Sequence, residues 1–262
     1  MAGTAPLPLP AVPGRPAASR TLVRGAIGIV GIFVLWEVLT RAFSVPAYIL
    51  PTVSSIVGAI GEQRGVLLPA AATTFFEALA GFAAGSVCGL VLAIALTLLP
   101  AVKKPVLPLV TALNSVPVVA YAPLILLWFG IGPTSKIIMV AIAVGFTVFL
   151  HALAGMARVD PRVVDLMRSF GSGPAAILWR IRVPAAIPLT AAGMRVSTTR
   201  AVIVAIVTEM LGAQRGLGWT IYQAVLQVDF VQVWSAIFVA SAGSLVFFGI
   251  VNFVEKRYVF WK

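Results

Sequence analysis

Six long apolar segments, separated by short polar stretches, dominate the chain. They lie near residues 24–43, 69–99, 106–129, 135–157, 185–212 and 231–254. An α-helix needs about 20 apolar residues to cross a hydrocarbon core of about 30 Å, and each segment reaches that length. The pattern therefore predicts an all-α, polytopic membrane protein with about six transmembrane helices.

Two parts of this pattern differ from a simple span. The third segment and its start contain four prolines between residues 105 and 123, and each removes a backbone donor that lipid cannot replace. We expect a break at Asn114 and Ser115, with the broken backbone facing protein or a water-filled cavity. Residues 213–229 are too short and too polar for another span, which predicts a short external or re-entrant helix.

Composition excludes other classes of protein. Apolar residues make up 60% of the 262 residues and charged residues only 10%, unlike a soluble domain. The net charge of +11 would suggest a nucleic-acid partner in a soluble chain, but here the cations lie between apolar runs, so we expect no such partner. The single cysteine, Cys88, lies inside an apolar run and offers neither an internal disulfide nor a metal site.

The cations also predict the orientation of the spans, because the side richer in Lys and Arg is cytoplasmic. One side collects Arg15, Arg20, Arg24, Lys103, Lys104, Arg158, Arg162, Arg168, Arg180, Arg182, Lys256, Arg257 and Lys262. The other side carries Arg41, Arg64, Lys136 and Arg215. With an even number of spans, both termini are expected in the cytoplasm.

The first 20 residues differ from the rest of the chain. They contain five prolines and many small residues, which disfavour a helix. They show neither the short apolar region nor the cleavage site of a secretory signal. We expect a disordered cytoplasmic tail over residues 1–20 and a single membrane domain over residues 21–262.

The central cytoplasmic loop, residues 160–184, has a pattern of its own. Asp160 before Pro161 is a typical helix start, since a capping side chain precedes a proline in the first turn. One face of this helix is apolar and comprises Val163, Leu166, Met167 and Phe170. Glycines and a proline over 171–174 break it, and a second short helix is expected to stop at Pro184.

The spacing within this loop resembles the cytoplasmic signature of permease subunits of bacterial ATP-binding-cassette importers. That signature is Glu-Ala-Ala, three residues, Gly, nine residues, Ile, any residue, Leu, Pro. Its fixed positions are occupied by Gly171, Ile181 and Pro184. The first triplet is replaced by Asp165, Leu166 and Met167, and Val183 replaces the leucine. The match is specific because the spacing is kept over about 20 residues.

The resemblance covers roughly residues 25–257 and includes the branch that handles nitrate, taurine, alkanesulfonates, and thiamine or riboflavin precursors. The residues that carry it are Leu50-Pro51, Leu127-Trp128-Phe129-Gly130-Ile131-Gly132, Glu209-Met210-Leu211-Gly212 and Gly216-Leu217-Gly218. These segments indicate the branch and not the ligand.

The resemblance implies a type I importer permease fold in the bacterial plasma (inner) membrane. This chain and a second copy of it would enclose a pathway, separate ATPase subunits would bind ATP and Mg, and an extracytoplasmic binding protein would deliver the solute. The implied ATPase-coupling residues are Asp165, Leu166, Met167, Gly171, Ile181 and Pro184. The chain has no Gly-x-x-x-x-Gly-Lys-Ser/Thr phosphate loop, so we expect no cofactor, metal or catalytic residue in it.

The same loop also fits an amphipathic helix held on anionic lipid by its arginines. A further set of residues is predicted to line the pathway: Asn114, Ser115, Arg200 and Glu77. A carboxylate within a span costs about 2–3 kcal/mol to insert and should pair or face water. Arg200 and Arg195 are the candidate partners if Glu77 pairs instead of facing water.

Arg200 has two interpretations of equal weight. It faces the pathway, where a cation favours an anionic solute, or it forms a structural pair with Glu77 or Glu37. The glycines that follow Glu77 at every fourth position, Gly81, Gly85 and Gly89, predict close helix packing. Glu209 either reaches the membrane interface or takes part in gating, and His151 is expected to be a satisfied helix-end residue.

The sequence thus predicts a transport subunit and not an enzyme, importing a small anionic solute such as a sulfonate, taurine or nitrate. A thiamine or riboflavin precursor is the alternative solute. Two other classes stay open, a membrane scaffold and an ion-coupled secondary carrier that would use Glu37, Glu77 and Glu209. The absence of an inverted sequence repeat argues against the carrier.

Overall fold

The structure is a computed structural model that describes residues 18–259, with side chains from residue 23 onward. Over this range it is helical and contains no strand. The helices are α1 (Ala18–Ala42), α2 (Val53–Glu62), α3 (Arg64–Leu98), α4 (Pro100–Ser115), α5 (Ala122–Phe129), α6 (Pro133–Ala157), α7 (Pro161–Ser169), α8 (Pro174–Ile177), α9 (Val183–Gly212), α10 (Leu217–Leu226) and α11 (Phe230–Tyr258). Most of the predicted tail, residues 1–17, lies outside the described residues.

Five helical segments are long and apolar enough to cross a membrane. They are Val23–Ala42 of α1, α3, α6, the continuous stretch Pro174–Gly212, and α11. The pair α4 and α5 qualifies only as one broken span, bent by 89°. The predicted all-α fold with about six spans is confirmed, and α10 is the short helix expected within residues 213–229.

The third span breaks where the sequence predicts. Helix α4 ends at Ser115, and Val116 takes an extended backbone with φ −79° and ψ 129°. The residue before a proline disfavours the helical region because the proline ring crowds its backbone, so Pro117 fixes this break. A 3₁₀ turn at Val118–Tyr121 then leads into α5. The earlier Pro105 and Pro108 stay inside α4.

The predicted helix stop at Pro184 is wrong. A π-helical turn at Leu178–Arg182 joins α8 to α9, and the helical stretch continues from Pro174 to Gly212 over 39 residues. A proline in a helix lacks a donor and crowds the carbonyl four residues earlier. The wider π turn just before Pro184 gives the chain a way to pass this residue without breaking.

Helices α3, α6 and α9 form the core. The small-residue face of α3 lies directly on α6, because a Cβ atom at Gly81 would meet Val140, one at Gly85 would meet the backbone of Ala141, and one at Gly89 would meet that of Gly145. The close packing predicted for these glycines is confirmed. By contrast, the membrane-spanning stretches of α1 and α11 are largely exposed and apolar, as expected of helices that face lipid.

Candidate functional site

The loop that the sequence analysis expects in the cytoplasm consists of α7, a glycine turn and the start of the long helix that becomes α9. The Asp160 carboxylate accepts a hydrogen bond from the backbone N–H of Arg162 at 2.8 Å, which caps α7. After α7, Gly171 has φ +77°, a conformation that residues with a side chain rarely adopt. The backbone N–H of Ser172 donates to the Met167 carbonyl at 3.0 Å and closes the helix end. The capped helix and the glycine turn are thus present as predicted.

Helix α7 has two different faces. Val164 is buried against the rest of the protein, whereas Leu166 is 57% exposed and Phe170 is 76% exposed. Trp179, on the π turn that follows, is 60% exposed. Leu166, Phe170 and Trp179 are called the apolar loop surface below. Large apolar side chains concentrated on a short polar loop are typical of a surface that another molecule covers.

The six predicted coupling residues differ in how exposed they are. Asp165 and Leu166 are exposed, while Met167, Ile181 and Pro184 are half-buried. The Asp165 carboxylate contacts the Arg168 guanidinium at 3.3 Å, and both side chains are about two-thirds exposed. Such exposed pairs contribute little stability. Asp165 can therefore exchange this contact for one with another molecule at small cost.

A second polar group lies buried at the other end of α9, around Glu209. The Glu209 side chain is 0% exposed, and its two oxygens accept hydrogen bonds from Thr74 Oγ1 at 2.7 and 3.0 Å. The backbone N–H of Gly218 donates to it at 2.7 Å, and that of Leu217 donates to Thr74 Oγ1 at 2.8 Å. The expectation that Glu209 reaches the membrane interface is wrong, because the first N–H groups of α10 need an acceptor inside the protein.

Two glycines make this arrangement possible. Gly216 has φ +104°, and a Cβ atom there would collide with the Glu209 carboxylate. A Cβ atom at Gly218 would collide with the backbone carbonyl of Ile206. The segments Glu209–Gly212 and Gly216–Gly218, which the sequence shows only as family markers, thus form one structural unit.

Lys136 joins this group from α6. Its side chain is fully buried, and its ammonium donates to the backbone carbonyls of Ile131, at 2.5 Å, and of Gly212. It lies close enough to Glu77 and Glu209 to attract both carboxylates. Lys136, counted from the sequence among the cations of one membrane side, is thus buried and bonded to backbone carbonyls. We call Thr74, Glu77, Lys136 and Glu209, with the start of α10, the outer network, after the side on which the sequence analysis expects it.

Glu77 is buried in this network beside Glu209. Its Oε2 atom has no hydrogen-bond partner among the described residues. A cavity of 610 Å³ adjoins it and is also lined by Thr73, Gln214 and Arg215. The partner of Glu77 predicted from the sequence was an arginine of α9, whereas the nearby cation is Lys136.

Arg200 does not pair with Glu77 or Glu37. Its guanidinium donates to Thr147 Oγ1 at 3.2 Å, and it is half-buried between α9 and α6. Arg200 precedes Glu209 by nine residues of helix, about 13 Å at 1.5 Å per residue, which places it well below the outer network. The predicted structural pair is therefore wrong.

Arg195 and Glu37, the other charged residues named in these predicted pairs, have different partners. Arg195 contacts the buried Glu255 carboxylate of α11 at 3.2 Å. Glu37 contacts Arg41 at 2.6 Å and accepts from Ser54 Oγ at 2.7 Å near the end of α1. The Arg195–Glu255 contact joins α9 to α11, and the Glu37–Arg41 contact lies within α1. Among the described residues, Arg200 therefore has no acidic partner.

The other pathway candidates lie at the broken third span. Ser115 Oγ donates to the Thr111 carbonyl at 3.0 Å, and the side chain is exposed. The Asn114 Oδ1 atom is buried without a hydrogen-bond partner in the described part of the chain. No hydrogen bond described by the structure joins these two residues to Arg200 or Glu77. His151 has one ring nitrogen 2.8 Å from the Thr147 carbonyl, as expected of a satisfied histidine.

Sequence reasoning missed Thr74, Thr147 and the burial of Lys136. Thr74 lies 135 residues from Glu209 along the chain, so no local spacing connects them. The one available signal was the glycine pair at 216 and 218 after Glu209, which is typical of backbone approaching a side chain closely.

A family model described as the binding-protein-dependent transport system inner membrane component matches residues 81–260. A probable ABC transporter permease of Haemophilus influenzae is 28% identical over 232 residues, 88% of this chain and 95% of that protein. The formylaminopyrimidine transport permease ThiX of Halalkalibacterium halodurans is 27% identical, covering 88% of this chain and 92% of its own length. The taurine transport permease TauC of Escherichia coli is 29% identical, covering 78% and 76%.

Two solved structures share the fold. An amino acid ABC transporter crystallised with histidines has a TM-score of 0.61 at 19% identity, covering 76% of this chain and 97% of the other. A bacterial alginate ABC transporter in complex with a periplasmic protein bound to an alginate pentasaccharide has a TM-score of 0.61 at 16% identity, covering 91% and 96%. The chain is therefore similar in fold to importer permeases, as the resemblance in the loop implied.

Proposed function

The chain belongs to the family of binding-protein-dependent transport system inner membrane components, as an ABC importer permease, and we propose that it carries a small anionic solute. In this proposal the chain is a transport subunit, and separate ATPase subunits bind ATP and Mg. A second copy of the chain completes the pathway, and an extracytoplasmic binding protein delivers the solute. The membrane is the bacterial plasma (inner) membrane, with both termini in the cytoplasm.

The apolar loop surface is the observation that carries this proposal. Leu166, Phe170 and Trp179 are exposed next to a capped helix and a fixed glycine turn. We propose that the cytoplasmic ATPase covers them, and that the Asp165 carboxylate turns from Arg168 to a cationic or hydroxyl group of that subunit. Gly171 shapes the turn, and Met167, Ile181 and Pro184 support the loop from behind.

The continuous helical stretch gives this contact a mechanical consequence. Residues 174–212 run without a break from the loop to the outer network. A movement imposed on Trp179 would therefore shift Arg200 midway along the helix and Glu209 at its far end. Rigid packed elements with two arrangements convert such local shifts into domain movements. This connection supports coupling over the alternative of a helix resting passively on lipid.

The proposed solute is anionic because of Arg200. Its charge meets only a neutral hydroxyl among the described residues, and an arginine within a span generally pairs or faces a polar cavity. We propose that it faces the pathway, together with Asn114 and Ser115 at the broken span. A sulfonate, taurine or nitrate would meet a lower electrostatic barrier there.

A second candidate solute is favoured by Glu77. Its unpartnered Oε2 atom and the adjoining 610 Å³ cavity suit a molecule that carries hydrogen-bond donors. A thiamine or riboflavin precursor fits this description, and one relative is named for formylaminopyrimidine. In this alternative the machinery is unchanged and Glu77, not Arg200, contacts the solute.

Reconstituted uptake tests the transport proposal. The chain, its ATPase and its binding protein would be placed in proteoliposomes, and uptake of taurine, an alkanesulfonate, nitrate and formylaminopyrimidine measured. We expect uptake that requires ATP and the ATPase and stops with vanadate. Gradient-driven uptake by the chain alone would instead indicate a secondary carrier, and binding of the ATPase without any uptake would indicate a scaffold.

Substitution of Arg200 by Met tests the choice of solute. We expect lost uptake of the anion while the assembled complex keeps its amount and stability, because only a hydrogen bond to Thr147 is removed. Arg200→Lys, which keeps the charge, serves as the control and should retain part of the uptake. Lost assembly in Arg200→Met would contradict a pathway role, and selective loss of formylaminopyrimidine uptake in Glu77→Gln would favour the alternative.

A further inference from the structure

A cleft of 540 Å³ lies between α7 and the helices next to it. Its walls are the cytoplasmic end of α3, the start of α4, the end of α6, the inner face of α7 and the start of the following helix. The coupling proposal uses one residue of this lining, Asp165, and gives the rest of the cleft no role.

The cleft is positively charged. Its ionic lining consists of Lys103, Arg168, Arg182 and the Asp165 carboxylate. Arg168 is already paired with Asp165 at 3.3 Å. Lys103 and Arg182 have no ion-pair partner in the part of the chain that the structure describes. Two positive charges are thus uncompensated on the walls of one cleft.

Arg182 gives a second, independent indication that the cleft binds an anion. Its Nε atom is buried and has no hydrogen-bond acceptor among the described residues. Buried donors in folded proteins nearly always have an acceptor. An anionic oxygen in the cleft would supply this acceptor and would also balance the charge of Lys103.

Apolar side chains form the rest of the lining. Leu153 and Met156 come from α6, and Val164 and Ile177 from the loop. The cleft therefore offers a polar end of two cations and an apolar wall where the spans meet the cytoplasmic loop. This is the environment of a phosphate group at a membrane surface, with room for an attached apolar part.

We propose that this cleft binds a phosphate group at the cytoplasmic membrane surface, with Lys103 and Arg182 as its direct contacts. The phosphate belongs either to the headgroup of an anionic lipid or to a free phosphate ion. A bound phosphate connects Lys103 of α4 to Arg182 at the end of the loop, and it thereby holds the loop in place next to the ATPase.

Thermal unfolding of the full chain in nanodiscs tests this site, because a ligand that binds only the folded protein raises Tm. The probes are phosphatidylglycerol added to phosphatidylcholine nanodiscs, and inorganic phosphate added to nanodiscs of phosphatidylcholine alone. A rise with the lipid only identifies a headgroup, and a rise with inorganic phosphate identifies the free ion. In the double variant Lys103→Gln and Arg182→Gln, we expect the apparent affinity for the active probe to fall about tenfold or more.

Lys104 provides the matched control, since it is adjacent to Lys103 in sequence and exposed but does not line the cleft. Lys104→Gln removes the same charge and should leave the Tm rise intact. Equal losses in Lys103→Gln and Lys104→Gln would show a general effect of surface charge and overturn the proposal, as would the absence of any Tm rise with both probes. If the double variant does not fold, the same comparison is made with Lys103→Gln alone, with retained phosphatidylglycerol measured by native mass spectrometry.

Discussion

The surroundings of Glu209 and the loop 160–184 contrast in how their polar and apolar groups are covered. Near the end of α9, Glu209 is fully buried and accepts hydrogen bonds from Thr74 and Gly218. In the loop, Asp165 makes one exposed ion pair, and large apolar side chains such as Phe170 are uncovered. The Glu209 carboxylate is thus satisfied within one chain, whereas the loop exposes charged and apolar groups that another molecule can contact.

This difference separates stability from coupling. Removal of the Glu209 carboxylate should destabilise the fold, because it leaves a buried polar group unpaired. Substitutions on the apolar loop surface should leave the fold intact and weaken only the contact with the ATPase.

The largest effect is expected from Glu209→Ala. It leaves the Gly218 N–H without its acceptor, leaves the Thr74 hydroxyl only the longer contact to the Ala70 carbonyl at 3.2 Å, and removes a carboxylate near Lys136. We expect a loss of about 3 kcal/mol in unfolding free energy, measured by thermal or denaturant unfolding in nanodiscs. Glu37→Ala is the control and should change stability little, because its partners lie at the protein surface. Equal losses in the two variants would contradict the special role of the outer network.

Alanine substitutions at Gly218 and Gly171 should lower the unfolding free energy by different and smaller amounts. Gly218→Ala places a Cβ atom against the backbone carbonyl of Ile206, which cannot move without displacing α9. We expect it to cost about 1–3 kcal/mol. At Gly171 a Cβ atom meets no other atom, so Gly171→Ala costs only the strain of its positive φ, about 1 kcal/mol. Comparison of the two unfolding free energies checks this order, and a reversed order would show that the loop is the more tightly packed region.

The smallest effect is expected from exchanging Asp165, Leu166 and Met167 for Glu, Ala and Ala. The new triplet matches the family signature, and the replaced side chains are exposed or half-buried. We expect stability to stay within about 0.5 kcal/mol of the original. ATPase binding should persist and weaken only by the loss of the Leu166 side chain, because Phe170 and Trp179 are kept. Co-purification of the ATPase measures the second point, and its loss would show that the contact depends on the particular triplet of this chain.

The spans and the loop were predictable from sequence because they depend on local patterns. Hydropathy located the membrane helices, the Asp160-Pro161 pair located the start of α7, and Pro117 explains the break after Ser115. The predicted helix stop at Pro184 was wrong because the π turn before it accommodates a proline within a continuous helix.

The outer network was not predictable in the same way. The Thr74–Glu209 hydrogen bonds join residues 135 positions apart, and Lys136 is paired through tertiary contacts that no spacing reveals. Charge counting assigned Lys136 to one side of the membrane but did not show that it is buried, because hydropathy alone cannot tell a buried lysine from an exposed one. Arg200 was given acidic partners for the same reason, although its nearest described partner is a threonine.

The central claim is that the apolar loop surface binds the ATPase, and a matched pair of double variants tests it most directly. Phe170→Ser with Trp179→Ser alters the loop, and Phe129→Ser with Trp128→Ser alters two exposed aromatic residues near the end of α5. The measurement is the affinity of the purified ATPase for each variant in nanodiscs. We expect the ATPase affinity of the loop variant to fall about tenfold or more, with unchanged thermal stability. The ATPase affinity of the α5 variant should not change. Unchanged ATPase affinity in the stably folded loop variant would contradict the claim.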